Sequence, residues 1–238
     1  MPALPPSSFI SALAPDDRSL LLDRALHRRL APGAVLHLEG DPRPHAHLIA
    51  AGVVKLTTRD PGGREAILGL ALPGELIGEI PAIDGKCQPT DALAATHCEV
   101  LAFEARTLRE VLARNGVAAL VIARGLSARL RWVSETALER TASDVPARLA
   151  GRLLDLADLL GDGRRPGEFD LPLVQADLGS LAGMSRESAC KTLRRFKARG
   201  LLDYSGSRIR LLRPDLLELI RGGTPAHVGP MHPVWRRS

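Results

Sequence analysis

The chain has 238 residues, of which 45% are hydrophobic and 25% charged, with a formal net charge of +5. This is ordinary soluble globular composition, with enough chain for a real core and two domains. At 3% aromatic residues it lacks the stacking platforms that single-stranded nucleic-acid readers need. The cysteines Cys87, Cys98 and Cys190 are scattered and odd in number, which argues against a disulfide framework and fits a reducing compartment. No apolar run reaches membrane-spanning length, and the opening MPALPPSSF lacks the basic-then-apolar order of a secretory signal, so a cytoplasmic protein without a membrane partner is expected.

Residues 1–30 read as a helical lead-in: Leu20, Leu21, Ala25 and Leu26 recur at helical spacing, followed by His27, Arg28 and Arg29. Over 31–104 the texture changes to short apolar runs punctuated by Gly, Pro and Asp. The run Asp60-Pro61-Gly62-Gly63 is a turn between two strand candidates, VVKLTT and EAILGLA, and several such strands predict a small antiparallel barrel or roll.

Over 105–143 the punctuation fades, interrupted once at Asn115-Gly116. Ala119, Ile122, Leu126, Val133 and Ala137 then form an apolar stripe at three- and four-residue spacing, with Arg129 near an expected core position. Such a helix needs a partner surface. A second copy would give a parallel two-fold dimer; the alternative is packing on its own roll.

Residues 144–222 begin with Asp144-Val145-Pro146 ahead of ARLAGRLLDLADLLG, where proline suits an early helical position. The loop GDGRRPGEFD follows. A helix from about Val174, a turn at Gly183-Met184-Ser185, a basic helix and LLDYSGSRIRLL come next; the last reads as two strands around Ser205-Gly206. Residues 223–238, rich in Gly, Pro and His, are expected to be poorly ordered.

The basic helix carries the functional signal. Residues 185–199, SRESACKTLRRFKAR, hold Arg186, Lys191, Arg194, Arg195, Lys197 and Arg199 against one acid, Glu187. The rest of the chain carries 26 basic and 26 acidic residues, so the whole surplus sits here. Gly179 allows close approach of two helices, Gly183 makes the turn, Ser185 caps, Glu187 suits the helix dipole, and Gly200 ends the helix. Ala189, Leu193 and Phe196 form the buried stripe, leaving Arg186, Glu187, Cys190, Lys191 and Arg194 outward. This is a helix-turn-helix with a wing, a reader of double-stranded DNA. Backbone phosphates are assigned to Ser185, Arg194, Arg195, Lys197, Arg208 and Arg210. Cys190, on the DNA side, reads as a small spacer rather than a redox group. No nucleophile–base pair, P-loop or zinc spacing indicates an enzyme.

These stretches resemble the CRP/FNR superfamily of bacterial transcription regulators. The roll is similar in PGAVLHLEGD, AAGVVKL, DPGGREAILGLALPGELIGE and ATHCEVLAF, and the reading helix in MSRESACKTLRRF. The resemblance implies an α+β fold: an N-terminal double-stranded β-roll of the cyclic-nucleotide-binding type, a long dimerisation helix and a C-terminal winged helix-turn-helix. It further implies a homodimer on a pseudo-palindromic operator, with RNA polymerase as a partner. Arg186 and Glu187 match the family's base-reading pair; Lys191 stands where arginine is usual, and lysine reads guanine less rigidly.

In the segment PGELIGEIPAIDGKCQPTDALA the resemblance makes Gly78, Glu79 and Thr90 the effector pocket, matching the phosphate-binding cassette's glycine, ribose-binding glutamate and hydroxyl. Pro89 stands where the cassette has its phosphate-neutralising arginine, so cyclic AMP is not the expected effector. An iron–sulfur cluster would need about four cysteines, and none precedes Cys87. Haem would need an axial ligand from His45, His47, Cys87, His97 or Cys98, each more simply read as a surface or core side chain. The cofactor is therefore left unknown, with control by abundance open. The alternative is a cyclic-nucleotide- or haem-binding module whose basic helix meets an acidic protein or RNA.

Overall fold

The computed structural model describes residues 8–42, 45–59, 62–63, 65–161, 167–171 and 175–222, without the side chains of 140–142 and 175–176. The chain divides into two compact units, and the division falls between Leu130 and Arg131.

The first unit opens with a 3-10 turn, Phe9–Ala12, capped by the Ser8 side chain, and with helix α1 (Pro15–Asp23). Eight strands follow: β1 (Leu26–Leu30), β2 (Val35–His37), β3 (His45–Ala51), β4 (Val54–Arg59), β5 (Glu65–Ala71), β6 (Leu76–Ile77), β7 (Asp91–Ala94) and β8 (Cys98–Glu104). Helix α2 (Ile80–Asp84) lies between β6 and β7. The strands form two antiparallel sheets, ordered β1-β8-β3-β6 and β2-β7-β4-β5. This is the expected roll, and both strand candidates around the 60–63 turn are present as β4 and β5. Of that turn, Asp60 and Pro61 lie outside the described residues.

Strands β3, β6 and β8 of the first sheet are buried on both faces, and the period of two sorts their side chains. Ile49, Ile77 and Val100 join Leu36, Val54 and Ala92 in one cluster. Leu48, Leu101 and Phe103 join Phe9, Leu21, Leu108 and Ile122 in another.

The helical lead-in ends earlier than the apolar spacing suggests. Residues 26–30 form strand β1, with Leu26 opposite Ala102 and Arg29 opposite Glu99. The Arg29–Glu99 pair closes at 3.0 Å, and Leu26 is exposed. Two apolar pairs five residues apart cannot tell helix from strand; the open edge of β8 decides it by taking up the backbone hydrogen bonds.

Helix α3 (Ala105–Arg114) and helix α4 (Gly116–Ala142) meet at Asn115, where the chain bends by 114°. Asn115 stabilises the corner twice: its Oδ1 accepts from the Ala118 amide at 3.0 Å, and its Nδ2 donates to Asp17 at 2.8 Å. The apolar stripe of α4 is split. Ala118 and Ile122 are buried and Leu126 is partly buried against the unit's own core, whereas Leu130, Val133 and Leu138 are exposed. Among the described residues no single helix is long and apolar enough to cross a membrane.

The second unit contains the end of α4, helix α5 (Val145–Leu160), strand β9 (Glu168–Asp170), helices α6 (Gln175–Leu181) and α7 (Arg186–Ala198), strands β10 (Leu202–Ser205) and β11 (Arg208–Leu211), and helix α8 (Pro214–Arg221). Asp144 caps α5 by accepting from the Ala147 amide at 2.9 Å, with Pro146 in the first turn. Leu149, Leu153, Leu178, Leu193, Phe196, Ile209 and Leu217 are buried.

Two elements depart from the sequence expectation. Glu168–Asp170, read as loop, pairs with β11, so the wing is a three-stranded sheet ordered β10-β11-β9. Phe169 is its only buried residue, too little for a period to be visible. Helix α8 also went unread; Pro214 opens it and Gly222, at φ 102°, closes it. Val174 and residues 223–238 lie outside the described residues.

Candidate nucleic-acid interface

Helix α7 is built from its ends inward. The Ser185 hydroxyl accepts from the Ser188 amide at 3.1 Å, satisfying one of the helix's unpaired donors. At the other end Gly200, at φ 67°, donates to the Lys197 carbonyl at 2.9 Å, and Leu201 donates to that of Phe196 at 3.0 Å; these two bonds make a Schellman cap. A Cβ on Gly179 would lie 3.2 Å from the Met184 carbonyl oxygen and 3.3 Å from the Arg186 amide nitrogen. The glycine is therefore what lets α6 pass over the start of α7. Gly183 makes the turn at φ 64°. Arg148 ties the pair to α5, donating to the Ala182 carbonyl at 3.3 Å; nothing in its surroundings in sequence announced that role.

Ala189, Thr192, Leu193 and Phe196 face inward. The opposite face presents Arg186, Glu187, Lys191, Arg194 and Arg195, all exposed, with Cys190 half-buried among them. Among the described residues none of these charged groups is in an ion pair, so four cations and one carboxylate stand open to solvent.

Two of the remaining phosphate candidates, Lys197 and Arg208, carry acidic partners. Lys197 lies 2.7 Å from Asp203 and donates to the Tyr204 carbonyl at 3.2 Å. The Asp203 bond raises the Lys197 pKa, and the same bond lowers that of Asp203. Arg208 lies 3.3 Å from Asp170 and 3.7 Å from Glu168. Arg210 is exposed on β11. Solvent and salt screen exposed pairs of this kind, so exchanging the carboxylate for a phosphate costs little. Ser185 is exposed, with its hydroxyl occupied as the cap.

In the roll, Gly78 sits at φ 71°, and a Cβ there would lie 2.6 Å from the His45 carbonyl oxygen and 3.2 Å from the His37 ring. Glu79 is buried. Its Oε1 accepts from Arg129 of α4 at 2.8 Å, and among the described residues its Oε2 has no partner. Arg129 also donates to the Leu76 carbonyl at 3.3 Å. The arginine that disturbs the stripe of α4 is thus the counter-ion of buried Glu79. Thr90 is half-buried and Pro89 exposed.

Of the axial-ligand candidates, Cys87 and His97 are exposed. Cys98 is buried and donates to the Val53 carbonyl at 3.2 Å, and burial pushes its thiol up. His47 is buried and faces not only His45, at 6.5 Å between ring centroids, but also His37, at 5.5 Å. Among the described residues no three His, Cys, Asp or Glu side chains converge as a metal-ligand set.

Residues 27–115 match the cyclic nucleotide-binding domain family, and residues 147–220 match the Crp-like helix-turn-helix domain. The chain belongs to the CRP/FNR superfamily of transcription regulators. It is 29% identical over 192 residues, 78% of this chain and 85% of the relative, to the CRP-like cAMP-activated global transcriptional regulator of Mycobacterium tuberculosis. Among solved structures it is similar to a CRP-family transcriptional regulator from Thermus thermophilus (28% identity, TM-score 0.68, covering 82% of this chain and 96% of that one). It is also similar to the c-di-GMP responsive global regulator CLP of Xanthomonas campestris (25% identity, TM-score 0.72, covering 83% and 99%).

As a CRP/FNR regulator the chain binds DNA through its C-terminal unit, and its relatives are transcription regulators, not enzymes. Sequence reasoning found the reading helix whole, because its caps, turn and charges are local. It missed what completes the roll of this CRP/FNR member: Arg129 as the partner of Glu79, and His37 beneath Gly78. Each is paired across dozens of residues.

Proposed function

We propose that the protein is a homodimer that reads a pseudo-palindromic operator, with Arg186, Glu187 and Lys191 inspecting bases. Arginine or lysine suits guanine, and a carboxylate accepts from cytosine N4. Arg194, Arg195 and Arg210 hold phosphates, with Ser185 contributing its backbone position. Lys197 and Arg208 join once Asp203 and Asp170 are released. The observation that carries this reading is the exposed, unpaired set of four cations around Glu187 on a doubly capped helix. The exposed Leu130, Val133 and Leu138 of α4 support a second copy as the helix's partner, with the two readers about 34–36 Å apart. RNA polymerase is the expected further partner of such a regulator.

The effector is the finer question. Two of the relatives named above are described as responding to cyclic AMP or to c-di-GMP, both phosphate ligands. Here Pro89 offers no cation, and Arg129 is already bonded to Glu79. The expected effector residues Gly78, Glu79 and Thr90 therefore bring no net positive charge, which supports a non-phosphate effector or control by abundance over cyclic AMP.

Selection of bound duplexes from a random pool, with and without cyclic nucleotides, tests the reading. The expected product is a palindrome, unchanged by cyclic AMP. Glu187→Ala should then relax base preference while leaving nonspecific affinity, and Arg195→Ala should weaken all duplexes alike and flatten the salt slope by about one. An unaltered footprint and base preference in Glu187→Ala would overturn the read-out assignment.

A further inference from the structure

The end of α4 lies in the second unit, yet apolar burial holds it weakly: from Arg131 to Glu139 only Trp132 is buried. Among the described residues, one side chain of α5 makes several polar contacts to it. Arg152, 4% exposed, donates through Nη2 to Glu139 at 2.6 Å and to the Thr136 hydroxyl at 2.9 Å. Through Nη1 it donates to Asp155 at 2.8 Å. Its guanidinium lies over the Trp132 ring, 5.3 Å from the centroid. Asp155 in turn accepts from Arg221 of α8 at 3.3 Å. Two cations and two carboxylates thus join α4, α5 and α8. A guanidinium suits the role, because its planar fork serves several acceptors at once while its face stacks on indole.

We propose that Arg152 is a positioning residue that makes the last turns of α4, from Trp132 onward, part of the DNA-reading unit. The joint between sensor and reader then falls within α4, just before Trp132, and not at the break between α4 and α5 around Ser143. A displacement of the long helix reaches α7 through Thr136, Glu139 and Arg152. In a buried ionic cluster a charge left without its partner is costly, so Arg152 is held by Asp155 within α5 and holds α4 through Glu139. Burial raises the Asp155 pKa against the pull of Arg152 and Arg221, which fits a cluster held away from water.

Hydrogen exchange on the full-length protein tests this directly. The amides of residues 136–142 should exchange as slowly as those of α5. Arg152→Met strands Asp155 inside the domain and can unfold it, so the informative variant is Thr136→Val with Glu139→Gln, which cuts α4 loose and keeps the Arg152–Asp155 pair. It should speed exchange in 136–142 at least tenfold and leave α5 and α7 unchanged. In a Trp235→Phe background, Trp132 emission should shift to the red. Exchange in 136–142 that is fast in the parent protein, or unaltered in the variant, overturns the proposal.

A second readout rests on the dimeric reading above. The variant should bind a single half-site as the parent does, but lose at least tenfold of the preference for one half-site spacing. Loosened exchange with intact spacing preference would refute the positioning role. Failure of the dimeric reading shows separately, as the absence of any palindrome selected by the parent protein.

Discussion

Acidification should loosen the roll through His37 and His47. The two rings face each other across the interior from β2 and β3, 5.5 Å apart. Both Nδ1 atoms are buried without a hydrogen-bond partner. Burial pushes His37 down to about 4, against the pull of Asp41 and Asp91. It pushes His47 to about 3, helped by the neighbouring His37, Arg28 and His45. In the unfolded chain both titrate near 6.5. Below that pH the unfolded state takes up protons that the folded roll refuses, so stability falls as pH drops, starting near 6.5 and levelling off near 4 for His37 and 3 for His47. At about 1.36 kcal/mol per unit, going from neutral pH to about pH 5 should cost about 2 kcal/mol per histidine, about 4 kcal/mol together. Ordinary carboxylates titrate mostly below that window. Asp155, whose raised pKa acts in the opposite direction, lies in the other unit. Native-state hydrogen exchange of β3 and β8 amides, corrected for intrinsic rate, reads the roll alone. A loss under about 1 kcal/mol, or an unchanged pH slope in the His37→Gln, His47→Gln double variant, would refute the argument.

Three further outcomes follow from the same geometry. Gly179→Ala should destabilise the reader by about 1–3 kcal/mol in thermal melts, because backbone atoms lie within 3.3 Å of the new methyl group and cannot swing away. Ser185→Ala should cost about 1 kcal/mol by removing the cap on Ser188, with weaker DNA binding only in proportion to the lost fold. Arg129→Met should leave the buried Glu79 without its cation and destabilise the roll by about 3 kcal/mol, the low end for a broken buried pair because Arg129 is partly exposed; adding Glu79→Gln should restore part of the loss in urea melts.

The reading helix was legible from the sequence because everything that makes it lies within a few residues. Ser185 caps an amide three positions on, Gly200 closes bonds within five, and six cations sit on one short stretch. Local hydrogen-bond closure and charge density do not depend on what the rest of the chain does. The turn-punctuated strands of the roll were legible for a similar reason: β4 and β5 are consecutive in sequence and pair with each other. Strands β1 and β9 were not, since each is short and becomes a strand only when the edge of β8 or β11 is there to accept it.

The partners of buried polar groups were decided by the tertiary structure alone. Arg129 meets Glu79 across 50 positions of sequence, and Arg152 meets Thr136 and Glu139 from a different helix. A pattern of apolar spacing records which face is buried, not which charge waits on the other side. Arg129 therefore reads in sequence as a flaw in a stripe, and in the folded molecule as the counter-ion of a buried glutamate of the roll.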